Sequence, residues 1–448
     1  MLNFLIHNTP LFYLVQSVWR DEAFSILFSE RSPLWLITRT FDPPLYYLFL
    51  HYWMKIFGES EIATRSLSIL GIALSTVVVI HWSEKLFKKH WLSWFFPIFF
   101  LLNPTVIYYA FEIRAYAWYV FFTVVSFYAY TEGLWGLNIA AAVLGLYTHS
   151  YMLIVPFTQG IHYIITHRKK FTLKNPLAII KDRFLQSLGI ILLLFTPWLY
   201  QILTNLGQLK QSWYFPVDFH LIKAVLGNLF LGYEGTPGYF WNYSTVLSII
   251  LLGTFLFAVM DPKNKKRNSF FLLMTIVPLV LIIGISFIKP LFVNRYLMPV
   301  TIAEIFMIVF GLERIKNATI QKIAAAGALL FVVIFNMWYP TKHAKLDIRN
   351  TIFQVNALMG KQDVILANSP LILFESTYYS RDRSRVYLYN PERNPFPWYV
   401  GGSIVSPKQV VADLPPYPIR AFIIQANGSY EMIYSTDVSI HPKIKTKK

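Results

Sequence analysis

Eleven apolar runs dominate this chain, near residues 2–18, 65–84, 92–110, 115–131, 136–148, 150–166, 184–204, 243–260, 269–288, 296–312 and 323–340. A helix crossing the hydrocarbon of a bilayer needs about 20 such residues, with about 17 as the lower limit. Only helices and closed barrels satisfy their backbone groups in lipid, so runs of this length restrict the chain to an α-helical bundle. Composition agrees: the 448 residues are 55% hydrophobic and 14% charged, with a mean hydropathy of +0.46. A soluble domain carries about 25% charged residues. The fold class expected is an α-helical polytopic membrane protein with about eleven spans. Two runs are marginal. The run at 136–148 is short, and His7-Asn8-Thr9-Pro10 interrupts 2–18, which reads either as a short first helix or as part of one.

Basic residues set the orientation. Lys85, Lys88 and Lys89 follow one run. Arg168, Lys169, Lys170, Lys174, Lys181 and Arg183 follow another. Lys263, Lys265, Lys266 and Arg267, then Arg314, Lys316 and Lys322, complete the pattern. These four connections alternate with the apolar runs so that all lie on one side, which the positive-inside rule makes cytoplasmic. The N-terminus is then inside. The 205–242 loop and everything beyond about residue 341 are outside, on the outer face of what we read as a bacterial plasma membrane. The same placement accounts for the net charge of +17 without nucleic acid as a partner. With no cysteine, the chain has neither a disulfide framework nor a thiolate metal site. The first run lacks a basic leader and a small-residue cleavage site, so no cleavable signal peptide is expected.

The organisation expected is a membrane domain over 1–341 and a small extracytoplasmic α/β domain over 342–448. In the latter, DVILANS, RVYLYN, RAFIIQAN and YEMIYST read as strands, and IRNTIFQVNALMG carries apolar residues at helical spacing. This domain suits a lid or acceptor-recognition module and, equally, a passive cap. Within the membrane domain, the outward segment 19–64 is more than a loop. PPLYYLFLHYWMKIFG opens with a double proline, well placed at a helix start; its Tyr and Trp suit a membrane interface and, equally, a helix packed on the bundle.

Charged residues at membrane boundaries are costly to desolvate and commonly functional. The outward side concentrates them in short strings: WRDEAFS with Asp21 and Glu22, FDPP with Asp42, YYAFEIRAYAW with Glu112, Arg114 and Tyr116, LYTHSYML with His149, and FVNRYLMP with Arg295 and Tyr296. Each admits a structural role as well. Asp21 and Glu22 can mark loop ends, Glu112 and Arg114 can pair with each other or with Glu22, and Tyr116 and Tyr296 can anchor an interface. Arg65, at the start of a run, suits a cap or a snorkelling side chain. His149 with Asp42 is a two-residue candidate for a divalent metal ion, which is the one cofactor considered; a lone His with one carboxylate is a weak metal signal.

Taken in order, these strings resemble the GT-C type of polytopic membrane glycosyltransferases, over roughly residues 10–310. They are most similar to family 39, the group holding the protein O-mannosyltransferases and the aminoarabinose transferase of lipid A. The resemblance implies an inverting glycosyltransferase that takes its sugar from a polyprenyl-phosphate donor. It also implies a catalytic acid in the outward loop after the first span. Asp21 matches that acid and Glu22 the second of the pair. Glu112, Arg114 and Tyr116 match the E-x-R-x-Y string, His149 a histidine after the fifth span, and Arg295 with Tyr296 an RY pair before a late helix. FDPP departs from the family pattern, because Asp42 directly precedes the prolines and no histidine accompanies it.

The chemistry points the same way. A lipid-linked sugar needs a greasy groove for its tail and a polar end for its phosphate. The acceptor hydroxyl or amine needs one general base, for which Asp21 is the choice. Charge grows on the departing phosphate, and an arginine binds it in a bidentate manner; Arg295 is the first choice and Arg114 the second. Donor binding then falls to Arg295, Arg114, Glu112, Tyr116, Tyr296 and Asp42. The partners expected are the donor, an extracytoplasmic acceptor (protein, lipid A or another envelope glycan) and the bilayer. A transporter or flippase for lipid-linked sugars is the alternative, as is a non-catalytic binding protein. A transporter is expected to show repeated halves and mid-span charges; the charges here gather at one face, and no clear internal repeat appears.

Overall fold

The structure is a computed structural model that describes residues 6–38, 42–168, 181–204, 216–235, 237–395 and 403–435. It divides into two compact units, one of residues 1–15 and 33–343, the other of residues 16–32 and 344–448.

The first unit is helical. Among the described residues, six helical segments are long and apolar enough to cross a membrane: Glu61–Phe87, Arg183–Thr204, Gly238–Val259, Lys265–Ser286, Asn294–Arg314 and Ala318–Lys342. A seventh crossing is available if Leu92–Leu101 and Pro104–Ala110, bent by 56° at their junction, count as one. The bend has a local cause. Asn103 caps the second helix, its side-chain oxygen accepting from the N–H groups of Thr105 (3.1 Å) and Val106 (3.2 Å), and Pro104 occupies the first turn. The Asn103 amide also donates to the Phe230 carbonyl at 3.0 Å, fixing the break inside the bundle.

Shorter helices fill other expected runs: Tyr116–Thr131, Trp135–Leu146 and Ile154–Thr166. The run at 2–18 is an exception. Its described part holds the five-residue helix Leu11–Val15, because the polar string ending in Pro10 interrupts it. Phe219–Leu231 is a helix within a stretch read as a loop. It packs closely on Trp241–Val259 at Gly227, where a Cβ would stand 2.3 Å from the Ser244 carbonyl oxygen. Small residues allow such approaches between membrane helices. Arg65 is fully buried and donates to the Leu14 carbonyl at 2.8 Å, so it ties the chain internally rather than snorkelling.

The double proline does open a helix, Leu45–Phe57, which ends at Gly58 with φ +84°. The Leu45 N–H donates to the Tyr147 carbonyl at 2.9 Å. This bond holds the Asp42-Pro43-Pro44 segment against the loop that carries His149.

The second unit is α/β. Its sheet has the order β3-β2-β1-β4-β5, with β1 Val364–Ala367, β2 Val386–Tyr389, β3 Val410–Val411, β4 Ala421–Ile424 and β5 Tyr430–Ile433. Strand β1 runs parallel to β2 and β4, β3 parallel to β2, and β5 antiparallel to β4. Ile348–Leu358 and Pro370–Tyr379 pack on it through Ile348, Ile352, Val355, Ile372 and Leu373, against Ile365, Val386 and Phe422. The helix Arg20–Ser29, which carries Asp21 and Glu22, belongs to this unit and packs against Pro370–Tyr379.

Candidate active site

Within the helical unit lies a cavity of about 720 Å³. Asp42, Arg114, Tyr116, His149, Tyr151 and Tyr296 supply its polar lining, and Leu188, Ile191, Leu192, Phe195, Leu281 and Ile282 are among its apolar walls. Each polar group is placed by a local device. Asp42 precedes the double proline. Arg114 sits in the turn between Pro104–Ala110 and Tyr116–Thr131, where the Glu112 carbonyl accepts from the Arg114 N–H (2.9 Å) and the Ser68 hydroxyl (2.6 Å). The Arg114 guanidinium lies 5.9 Å from the centre of the Tyr116 ring. Tyr47, from the helix after the prolines, also lines the cavity and lies within the fields of Asp42 and Arg114.

His149 stands in an aromatic enclosure. Its ring stacks on Tyr119 (centroids 4.7 Å apart, planes 6° apart) and meets Tyr296 edge-on at 5.0 Å. Tyr116 and Tyr151 lie at 5.7 and 5.8 Å. The Tyr151 N–H donates to His149 Nδ1 at 3.2 Å, so that nitrogen is an acceptor and the proton of the neutral ring resides on Nε2. In this loop, burial first and then the charges of Arg114 and Arg295 push the imidazole down to about 3. His149 is therefore a neutral hydrogen-bond donor.

His149 and Asp42, the candidate pair for a metal ion, both line the cavity. To ligate through Nε2, His149 would need its proton on Nδ1, at the cost of the bond from Tyr151. Among the described residues, no group of three or more His, Cys, Asp or Glu side chains is arranged to hold a metal.

Arg295 and Glu112 do not line the cavity. Arg295 is buried and paired with Glu234 at 3.2 Å, while Asn294 donates to the Tyr233 carbonyl at 2.8 Å. This pairing docks the Asn294–Leu297 turn and so positions Tyr296. Glu112 is buried, and its carbonyl holds the Arg114 turn. Arg114, the second choice from sequence, is thus the arginine on the cavity.

Asp21 and Glu22 occupy the first turn of Arg20–Ser29, where carboxylates suit the helix dipole. Asp21 pairs with Arg20 at 2.8 Å and stays partly accessible. Glu22 has no exposure: it accepts from Lys345 Nζ at 2.9 Å and from the Trp19 N–H at 3.3 Å. These are the contacts of a group that holds a helix start in place. Sequence reasoning missed Tyr47, Tyr151 and Glu234 and, in the second unit, Lys345 and Glu375. Tyr47 and Tyr151 fall inside strings singled out for their neighbours; Glu375 belongs to no charged motif.

The sequence matches no protein family and no curated protein. The fold does have solved counterparts. ArnT from Cupriavidus metallidurans in the apo state superposes with a TM-score of 0.62 at 12% identity, over 92% of this chain and 90% of that one. The structure of the same protein bound to undecaprenyl phosphate gives 0.60 at 12% identity, over 95% and 91%. This chain shares the fold of ArnT.

Proposed function

We propose that the protein is an inverting glycosyltransferase that moves a sugar from a polyprenyl-phosphate donor to an acceptor at the outer face of the membrane. The observation that carries this reading is the cavity. It joins a cation, a neutral imidazole donor and several tyrosines to a body of leucine, isoleucine and phenylalanine. Polyprenyl-phosphate sugars have that division: an anionic head and a long hydrocarbon tail. The fold neighbour that binds undecaprenyl phosphate supports the same donor class.

In this reading Arg114 meets the phosphate with paired N–H donors, and His149 adds a hydrogen bond from Nε2 without adding charge. As the anomeric C–O bond breaks, charge accumulates on the leaving phosphate. A well-placed donor is worth about 3 kcal/mol there. Tyr116 and Tyr296 offer ring faces to the sugar, and Asp42 offers an acceptor to its hydroxyls. Asp21, on the strength of its match to the family's acid, is the base that takes the acceptor's proton. Arg295 and Glu112 support the site by holding its turns. No step is assigned to a metal.

The positive-inside pattern supports an outward active site and C-terminal domain, and a bacterial plasma membrane is the location we favour. An eleven-span count would need the shorter apolar helices to cross as well. Protein, lipid A and envelope glycan remain the acceptor classes. The test is transfer of label from a panel of polyprenyl-phosphate sugars in membranes carrying wild type, Asp21→Asn or Arg114→Gln. Transfer by wild type alone supports the enzyme. Movement of intact donor across the bilayer, with no transfer, would favour a flippase.

A further inference from the structure

The helix Pro370–Tyr379, PLILFESTYY, carries one carboxylate, Glu375, on the side that is buried. Only 5% of Glu375 is exposed, and its Oε2 has no hydrogen-bond partner. Its surroundings lie within the second unit. The helix packs on Arg20–Ser29, and the carboxyl group lies against the Arg20 backbone N–H and within the fields of Arg20, Asp21 and Glu22. Of the other elements packed on this helix, Ile348–Leu358 brings Arg349 and β2 brings Tyr387 and Tyr389. Strand β1 brings no ionisable group.

Burial gives this carboxyl group a role. Arg20 pairs with Asp21, and Lys345 with Glu22. A further carboxylate ionised in this dry site is costly. Burial, followed by the charges of Asp21 and Glu22, accordingly pushes Glu375 up to about 8. Leucine would fill the position without this cost, and a carboxyl group there can report on the charge of its neighbours.

We propose that Glu375 is a positioning residue for Asp21: its neutral carboxyl group keeps the Arg20–Asp21 pair intact, and its ionisation competes for Arg20 and alters Asp21 as a base. This proposal rests on the assignment of Asp21 as the base. It ties the C-terminal sheet to the Asp21 helix of the same unit instead of leaving that sheet a passive cap. The coupling is reciprocal. Removing the charge of Asp21 makes Glu375 easier to ionise.

Infrared difference spectroscopy of the full-length protein in nanodiscs tests this directly, by following the carbonyl stretch of a buried protonated acid as pH is raised. Wild type should lose the band around pH 8, Glu375→Gln should lack it, and Asp21→Asn should lose it at lower pH. A band unchanged in Glu375→Gln, or a midpoint unmoved in Asp21→Asn, overturns the coupling. Glu375→Gln copies the neutral acid in shape, and Glu375→Asp, which restores a titrating group, guards against misfolding. In transfer assays, Glu375→Gln should keep activity and lose the alkaline limb of the pH profile, with Glu375→Asp restoring a limb. An alkaline limb unchanged in Glu375→Gln overturns the positioning role. Activity retained by Asp21→Asn would instead overturn the assignment of Asp21, while the spectroscopic coupling stands or falls separately.

Discussion

Breaking the ion pair between Glu22 and Lys345 should cost folding stability before it costs chemistry. Glu22 is fully enclosed, the Lys345 side chain is 6% exposed, and the two meet at 2.9 Å. Removing one partner of such a pair strands the other as a buried charge, at a cost of about 3–5 kcal/mol. In Glu22→Gln the amide oxygen can still accept from the Trp19 N–H, so the helix cap survives and the loss isolates the charge. Lys345→Met should cost a similar amount. In Glu22→Gln/Lys345→Met neither charge remains, and most of the lost stability should return, since replacing a buried pair by neutral groups is often near neutral. Thermal unfolding of detergent-solubilised protein, followed with transfer activity of the folded fraction, measures both. Per folded molecule, the double variant should remain active. A stable Glu22→Gln protein without activity, unrestored by Lys345→Met, would make Glu22 a catalytic residue and refute this reasoning.

Further outcomes follow from the cavity and the second unit. Arg114→Gln should slow transfer by about 10²-fold or more with little change in unfolding, as expected for loss of one charged donor at a developing oxyanion; an unchanged rate would remove Arg114 from the phosphate. Arg295→Gln should mainly lower stability, because it leaves Glu234 without the partner that docks the Tyr296 turn. His149 should stay neutral across pH 5–8 as the Nε2–H tautomer, which nitrogen NMR of labelled protein can read; a protonation midpoint near its ordinary value would contradict the enclosure described. For Glu375, an acid pushed up on folding adds stability at low pH, and that stability is lost as pH rises from its ordinary 4.5 to about 8. Glu375→Gln should therefore flatten the stability–pH curve in that window, measured by unfolding at fixed temperature.

The sequence made the membrane class and most of the helices legible, because apolar runs and basic connections act locally and strongly. Strands β1, β2, β4 and β5 were visible for a similar reason, as short β-branched and aromatic runs. The two-residue β3 was not, since its pairing with β2 is a tertiary event. Phe219–Leu231 was hidden because its amphipathic pattern sits in a connection already assigned to the aqueous side. The break at Asn103-Pro104 was spelled in the sequence, as a cap followed by proline, inside a run whose hydropathy masked it.

Site residues separate on the same principle. Motif strings brought out Asp42, Arg114, Tyr116, His149 and Tyr296, and the fold gathers these on one cavity. The same strings could not rank Arg114 over Arg295, because the pairing of Arg295 with Glu234 joins positions 61 residues apart. Nor could they show that Glu22 is matched by Lys345, or that the helix bearing Asp21 folds with the C-terminal sheet. Charge partners are set by tertiary packing, and only the structure displays them.

The central claim is that the cavity holds the head of a polyprenyl-phosphate sugar from which the sugar is transferred. Its most direct test is single-turnover transfer in nanodiscs loaded with radiolabelled polyprenyl-phosphate sugars and envelope acceptors, comparing wild type, Arg114→Gln and Asp21→Asn. The account predicts label leaving the lipid for an acceptor with wild type, greatly slowed transfer with Arg114→Gln, and donor bound but unreacted with Asp21→Asn. Donor that neither binds wild type nor loses its sugar, across the panel and with folding confirmed, would contradict it.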